Sequence, residues 1–172
     1  MITVLRLGHR ISRDKRITTH VALVARALSA NKILIDTKDK KIEENIKNTI
    51  NRFGNGFIIE TGINPKKIIN SFKGTIIHLT MYGDELNKTV DKIKTNKDLL
   101  IIVGAEKVPA WIYEKADYNI SVGNQPHSEV SALAIFLDRI TNGNWLNTKF
   151  NGKLQIIPCN SGKKVISKEN KK

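Results

Sequence analysis

Short runs of aliphatic and β-branched residues alternate with helical patterns along most of the 172-residue chain. Continuous apolar runs of this kind, bounded by turn residues, indicate buried strands. Strands that alternate with helices favour a mostly parallel sheet with helices on both faces. We therefore predict one doubly wound α/β domain spanning residues 1–172. The predicted strands are ITVLRL (2–7), KILID (32–36), GFIIETG (56–62), TIIHLTMYG (75–83), DLLIIVG (98–104) and YNISVG (118–123).

The segments between these strands carry helical periodicity. Val21, Val24, Ala25 and Leu28 follow the i, i+3, i+4, i+7 spacing of one helix face. The helix from about Ser128 to Ile140 is apolar over most of its circumference, which predicts burial on more than one side. The basic tail 165–172 is expected to be disordered. The other predicted helices contain Ile42, Ile46, Ile50 and Phe53 on one face, or cover PKKIINSF (65–72), DELNKTVDKIK (84–94) and PAWIYEKA (109–116).

The excess of basic residues indicates that this α/β domain suits a polyanionic partner. The chain has 29 Lys and Arg against 16 Asp and Glu, a formal net charge of +13. Such an excess favours a nucleic-acid partner, although a lysine-rich solvated surface is the alternative. The single cysteine, Cys159, permits no internal disulfide and favours a reducing cytoplasm. Neither a signal peptide nor a membrane-spanning segment is predicted.

Three loops are placed to bind a ligand, because ligands of open parallel sheets bind beyond the carboxyl ends of the strands. They read HLTMYGDE (78–85), VGAEKVPA (103–110) and SVGNQPHSE (121–129). The chain has no dinucleotide-binding glycine pattern and no P-loop. Its only G-x-G, starting at Gly54, precedes a strand and predicts a helix stop. The four histidines are scattered, with no zinc-ligand spacing.

The junction SVGNQPHSEV (121–130) admits a phosphate-binding loop, a catalytic group or a capped helix start. His127, Ser128 and Glu129 are consecutive, so on a helix their side chains point in different directions and cannot form a hydrolase triad. Ser128 is predicted to cap the helix, and Glu129 suits its positive end.

The loops and the N-terminal stretch together resemble the SPOUT superfamily of knotted methyltransferases, and within it the archaeal tRNA (cytidine-56-2'-O)-methyltransferases. The resemblance covers essentially the whole chain. It implies a C-terminal trefoil knot, a homodimer, S-adenosyl-L-methionine as the cofactor and tRNA as the partner, without a metal or a membrane. The segments that carry it are LRLGHRISRDKRITTHVALVARAL (5–28), HLTMYG (78–83), VGAEKVP (103–109), ADYNISVGNQPHSEVSALAIFLDRI (116–140) and IIPCNSGKKV (156–165).

The resemblance implies a cofactor site built from the three loops. Related bacterial enzymes carry an asparagine where this chain has Val130, and their first-motif Asn and Arg have no clean counterpart here. The candidate activating residues are those of the densest basic cluster, near residue 16. Arg16 is the candidate for the reacting ribose, His20 is the candidate base, and Arg10 and Arg13 are candidate RNA clamps. The expected cofactor residues are Leu79, Gly104, Ala105, Glu106, Lys107, Val108, Val122, Gly123, Asn124, Gln125, Pro126, His127, Ser128 and Glu129; the expected catalytic residues are Arg16, Arg13 and His20, and the expected RNA-binding residues are Arg10, Arg13, Lys163 and Lys164.

Two further expectations concern assembly and competing functions. In a dimer, the arginines of one subunit could serve the cofactor loop of the other, with helix 128–140 and Trp111 or Trp145 at the interface.

The alternatives to a methyltransferase are a non-catalytic RNA-binding α/β protein that keeps the fold, and a nucleotide- or phosphate-binding protein unrelated to RNA.

Overall fold

A six-stranded sheet forms the centre of the computed structural model, which describes residues 1–54, 56–105 and 107–168. Every pair of neighbouring strands is parallel, as predicted, and the strand order is β3-β2-β1-β5-β4-β6. The strands are β1 (Ile2–Leu7), β2 (Lys32–Ile35), β3 (Ile58–Thr61), β4 (Thr75–Glu85), β5 (Leu99–Gly104) and β6 (Tyr118–Ser121). The helices are α1 (Lys15–Ala27), α2 (Lys40–Phe53), α3 (Pro65–Ser71), α4 (Leu86–Thr89), α5 (Ala110–Lys115) and α6 (Glu129–Ile140).

Helices cover both faces of the sheet, which confirms the doubly wound arrangement. Successive residues of a strand point to opposite faces, and β1 accordingly sends Val4 into one core and Leu5 into the other. The first core contains buried residues of α1, α2 and α6, and the second contains Ile69 of α3 and Ile112 of α5.

Two helix predictions are corrected. The predicted helix 84–94 is wrong: β4 continues to Glu85, and only α4 and a short 3-10 turn, Val90–Lys92, follow. A segment this polar lacks the apolar stripe that anchors a long helix. Helix α6 buries Leu133, Phe136, Leu137 and Ile140, whereas Ile135 is 45% exposed. The expected burial on more than one side is therefore not found within a single chain, because the sheet and α1 cover one face.

The C-terminal region contains a hairpin that the sequence analysis missed. Strands β7 (Leu154–Ile157) and β8 (Lys164–Ser167) pair antiparallel. The expectation of disorder is thus wrong for 165–167, where backbone pairing holds the chain, and residues 169–172 lie outside the described residues.

The chain leading into this hairpin is docked against the ends of α1 and α2. Gly54 ends α2 with a φ of 80°, which confirms the predicted helix stop. A side chain on Gly54 would meet the backbone of Asn151 and Gly152, so the two segments touch directly. Arg26 of α1 donates from Nη2 to Gly54 O (2.6 Å), and its guanidinium lies 4.9 Å from the centroid of the Phe150 ring. In the described part of the chain, no helix combines the length and the apolar character needed to cross a bilayer.

Candidate functional site

The carboxyl ends of β4, β5 and β6 enclose a cavity of about 250 Å³. The predicted loops 103–110 and 121–129 leave their strands at this edge of the sheet, whereas the predicted loop 78–85 is part of β4. We call this space the first cavity. It is lined by His78, Leu79, Thr80, Met81 and Tyr82, by Gly104, Ala105, Val108 and Tyr113, and by Val122, Gly123, Gln125, Pro126, His127, Ser128, Glu129 and Ala132.

The turn from β6 into α6 is braced by its own polar side chains. Gly123 has a φ of 88°, a conformation that L side chains rarely adopt. The His127 ring donates from Nε2 to Val122 O across 2.7 Å. Ser128 Oγ accepts a hydrogen bond from Val130 N (3.1 Å), which confirms the predicted helix cap. These hydrogen bonds therefore fix the conformation of the turn between β6 and α6, which lines the first cavity.

A buried ion pair joins β1 to the start of α6. Arg6 is fully buried, and its Nη2 donates to Glu129 Oε1 at 2.7 Å. Its Nη1 donates to Leu7 O (3.0 Å), whereas Nε has no partner within the described residues. Burial lowers the pKa of Arg6, and the negative charge of Glu129 opposes that shift. Glu129 therefore does more than favour a helix end, since it compensates an interior charge at the cavity wall.

His78 forms a second polar cluster that lines the first cavity. Asn119 donates from Nδ2 to Tyr113 O (2.9 Å), so its Oδ1 is turned toward His78 and accepts from Nδ1 at 2.9 Å. Burial lowers the pKa of His78, which keeps the ring neutral and leaves Nε2 as an acceptor. Nε2 has no described partner. Thr80 Oγ1 lies 3.1 Å from the Tyr113 hydroxyl, and the rings of His78 and Tyr113 meet edge to face.

Sequence reasoning missed Arg6, His78, Tyr113 and Asn119. The available signal was a polar or charged residue inside an otherwise apolar predicted strand, as in ITVLRL and TIIHLT. A buried polar group needs a partner or a function, so these positions deserved the same scrutiny as the loops.

Most of the expected cofactor residues meet at the first cavity. Lys107 lines a neighbouring cavity instead. Asn124 lines another cavity and donates from Nδ2 to Met81 O at 2.8 Å. Glu106 lies outside the described residues. The expected residues that line the first cavity are Leu79, Gly104, Ala105, Val108, Val122, Gly123, Gln125, Pro126, His127, Ser128 and Glu129.

The expected catalytic residues Arg13, Arg16 and His20 lie together elsewhere, in a groove of about 430 Å³ at the start of α1. None of the described residues lines both this arginine groove and the first cavity. Arg10 bonds Asp14 through Nε (2.8 Å) and Nη2 (3.2 Å), which holds the pKa of Asp14 at about 2. Arg10 thus shapes the turn before α1.

Lys163 and Lys164 are exposed at the start of β8. No cluster of three or more His, Cys, Asp or Glu side chains suited to a metal ion occurs in the described ranges.

Comparison with known proteins gives consistent matches. The family profile described as tRNA ribose 2'-O-methyltransferase, aTrm56, matches residues 53–166. A Thermococcus kodakarensis protein named tRNA (cytidine(56)-2'-O)-methyltransferase is 55% identical over 177 residues, covering 98% of both chains. A Picrophilus torridus protein of the same name is 56% identical over 165 residues, covering 96% of this chain and 48% of that protein. The chain therefore spans about half the length of the Picrophilus relative.

Solved structures with low sequence identity share the fold. The A. aeolicus TrmH/SpoU tRNA modifying enzyme superposes with a TM-score of 0.62 at 16% identity, covering 86% of this chain and 76% of that one. The SpoU methyltransferase AviRb from Streptomyces viridochromogenes, in complex with the cofactor AdoMet, gives 0.61 at 11% identity, covering 83% and 57%.

Proposed function

Because the chain belongs to the tRNA ribose 2'-O-methyltransferase family, we propose that it methylates the 2'-hydroxyl of cytidine 56 in tRNA with S-adenosyl-L-methionine. The observation that carries this proposal is the identity of 55% with the Thermococcus enzyme over 98% of both chains. The first cavity supports it, because it lies at the ligand-binding edge of a sheet with the SpoU methyltransferase fold.

The first cavity fits the proposed cofactor chemically. Leu79, Val122 and Ala132 provide an apolar wall, and the His78 Nε2 lone pair supplies a buried acceptor that has no described partner. A side chain at Gly104 would overlap Val108, so glycine lets the loop fold back at the cavity. When bound, S-adenosyl-L-methionine supplies an electrophilic methyl group on a sulfonium.

The chain's own residues must assist the 2'-hydroxyl, which is a poor nucleophile while protonated. One positioned group typically contributes ~10²–10⁴-fold. Arginine is a poor base, so Arg16 stabilises the developing negative charge on the ribose oxygen, and His20 is the candidate acceptor of the proton. Arg13 holds a neighbouring phosphate, since guanidinium forms bidentate bonds to phosphate oxygens.

A homodimer would bring the arginine groove to the first cavity. Within one chain, the two sites have no lining residue in common in the part that the structure describes. Ile135 of α6 is 45% exposed and lines one cavity together with Val122 and Gly123, so an exposed apolar side chain adjoins the cofactor loop. Sedimentation should give twice the chain mass, and an active monomer would remove the dimer from the proposal.

The trefoil knot belongs to the same proposal. It is supported by the irregular pairing of β4 with β6, in which the register shifts between Leu79 and Asp84. A side chain on Gly83 would strike the backbone of Asn119 and Ile120, so the two segments pass in direct contact.

The proposed activity is tested by tritiated-methyl transfer to unmodified tRNA, followed by nuclease digestion to locate the label. We expect label in the nucleoside at position 56, and none when that position carries 2'-deoxycytidine. A chain that binds S-adenosyl-L-methionine by calorimetry and binds tRNA, but transfers no methyl group, would instead be a non-catalytic RNA-binding protein. Failure to bind the cofactor would contradict the methyltransferase assignment.

A further inference from the structure

A second cavity, of about 240 Å³, adjoins the first across the loop that follows β5. Gly104, Ala105 and Val108 line both cavities. The second cavity opens at the carboxyl ends of β1 and β2, next to the turn that leads into the arginine groove. Its other lining residues are Leu7, Gly8, Asp36, Pro65, Lys107, Pro109 and Trp111.

The walls of this second cavity suit a flat, polar heterocycle. Trp111 is half-buried against the second core and lines the cavity together with Pro65 and Pro109. Unpaired bases of RNA are commonly bound by stacking on aromatic side chains, and cations nearby hold the adjoining phosphates. Lys107 is exposed in the wall, and Lys66 Nζ lies 5.8 Å from the centroid of the Trp111 ring.

Asp36 gives the cavity an acceptor with a defined orientation. Its Oδ2 accepts from Gly8 N (2.6 Å), and its Oδ1 accepts from His9 N (3.3 Å) and Thr37 Oγ1 (3.2 Å). A carboxylate offers about four acceptor positions, so acceptor capacity remains beside the three donors of the described chain. Backbone donors hold the carboxylate in place without neutralising it.

We infer that the second cavity receives the base of the target nucleotide, and that Asp36 selects cytosine over uracil. This inference rests on the proposed function and names its base subsite. Carboxylates accept hydrogen bonds from the N4 amino group of cytosine, whereas uracil presents a carbonyl oxygen at the same position. The base stacks on Trp111, and the ribose lies at the edge of the shared wall, where its 2'-hydroxyl meets the methyl group of the donor in the first cavity.

The test compares two tRNA transcripts, with cytidine or uridine at position 56, in wild-type protein and in Asp36→Asn. The amide keeps an oxygen for the Gly8 N–H group and adds an N–H donor that suits uracil. The wild type should transfer methyl to cytidine at least tenfold faster than to uridine. Asp36→Asn should lower this cytidine-to-uridine rate ratio by about tenfold. The ratio is internal to each protein, so a general loss of folding or activity does not change it.

The outcomes separate this inference from the proposed function. An active wild type with an unchanged ratio in Asp36→Asn would overturn the base subsite and leave the methyltransferase assignment intact. A wild type that methylates neither transcript would contradict the proposed function itself. Cofactor affinity, measured by calorimetry, should be the same in both proteins.

Trp111 provides an independent check on stacking. Trp111→Phe keeps an aromatic face and should preserve the KM for tRNA. Trp111→Leu keeps an apolar side chain without a π-face, and should raise that KM by roughly tenfold. Equal values of KM in the two variants would contradict a stacked base in the second cavity.

Discussion

The Arg6–Glu129 ion pair links the first strand, β1, to the start of α6. The pair spans 123 positions in sequence, and the Arg6 side chain is fully buried whereas that of Glu129 is 20% exposed. Removal of one partner from such a pair leaves an uncompensated interior charge, which costs more than the intact pair contributes. The ion pair therefore fixes the start of α6, and with it one wall of the first cavity.

Glu129→Gln should lower the free energy of unfolding by about 2–4 kcal/mol, because it leaves the Arg6 guanidinium without a counter-charge. Arg6→Met in the same protein should recover part of that loss. Urea denaturation of the two single variants and the double variant measures the coupling. The exposed Glu114→Gln serves as the control, and strictly additive losses would show that the two side chains do not interact.

Arg16→Ala should reduce single-turnover methylation by about 10²–10⁴-fold while leaving the affinity for S-adenosyl-L-methionine unchanged. The reason is that Arg16 lines the arginine groove and is not among the described residues that line the first cavity. Arg52→Ala removes the same charge from an exposed position at the end of α2 and should retain activity. Normal single-turnover methylation by Arg16→Ala would remove this residue from the mechanism.

For individual residues, the sequence predicted the site residues of the loops but not the buried polar residues of the strands. Ser128 and Gly123 could be predicted because caps and turns depend on local chemistry. The partners of Arg6 and His78 could not be predicted, because they come from elements that only the fold brings near.

Among the elements, α2 and β3 are joined by one carboxylate in the first turn of the helix. Glu43 Oε1 accepts from Lys38 Nζ (2.6 Å), Thr61 Oγ1 (2.6 Å) and Thr61 N (3.1 Å). The Lys38 ammonium, followed by the Thr61 hydroxyl, holds the pKa of Glu43 at about 2, below its ordinary 4.5. Because the pKa is lower in the folded chain, the stabilising contribution is complete above pH 4.5 and disappears as the pH falls through about 2.

Glu43→Gln should lower the free energy of unfolding at pH 7 by about 1–3 kcal/mol, since it removes charge-assisted hydrogen bonds. The difference from wild type should shrink between pH 4.5 and pH 2, where the wild-type carboxylate becomes protonated. Chemical denaturation over this pH range measures it. The neighbouring Glu44→Gln is exposed and provides the control; a pH-independent difference for Glu43→Gln would contradict the assignment.

The elements themselves were predictable to different degrees. Apolar strands such as β5 stand out because both faces of a parallel sheet are buried. The hairpin β7–β8 did not stand out, since Ile156 and Val165 are 63% and 54% exposed and leave no clear buried pattern.

The whole molecule carries a net charge of +13, which matches the proposed tRNA partner. The fold class and the parallel sheet followed from alternating patterns, whereas the strand order β3-β2-β1-β5-β4-β6 depends on long-range pairing that no local pattern encodes. Charge acts at this scale because each phosphate contact releases counterions from the nucleic acid.

Binding to tRNA should therefore weaken steeply with salt. Lys163→Gln combined with Lys164→Gln should reduce the slope of log affinity against log salt concentration by about 2, if both lysines contact phosphates. Filter binding over a range of salt concentrations measures the slope. Lys40→Gln with Lys41→Gln removes the same charge from exposed positions of α2 and should change the slope less; equal slopes in the two double variants would exclude a specific contribution from the hairpin lysines.

Gly104, Ala105 and Val108 belong to the walls of both cavities, and this shared wall couples the two proposed ligands thermodynamically. A ligand that binds in one cavity and orders the loop after β5 leaves that loop already ordered for the ligand of the other cavity. Thermodynamic linkage makes this effect reciprocal. If bound tRNA raises the affinity for the cofactor by some factor, the bound cofactor raises the affinity for tRNA by the same factor. Binding of either ligand is thereby expected to raise the affinity for the other through the loop that lines both cavities.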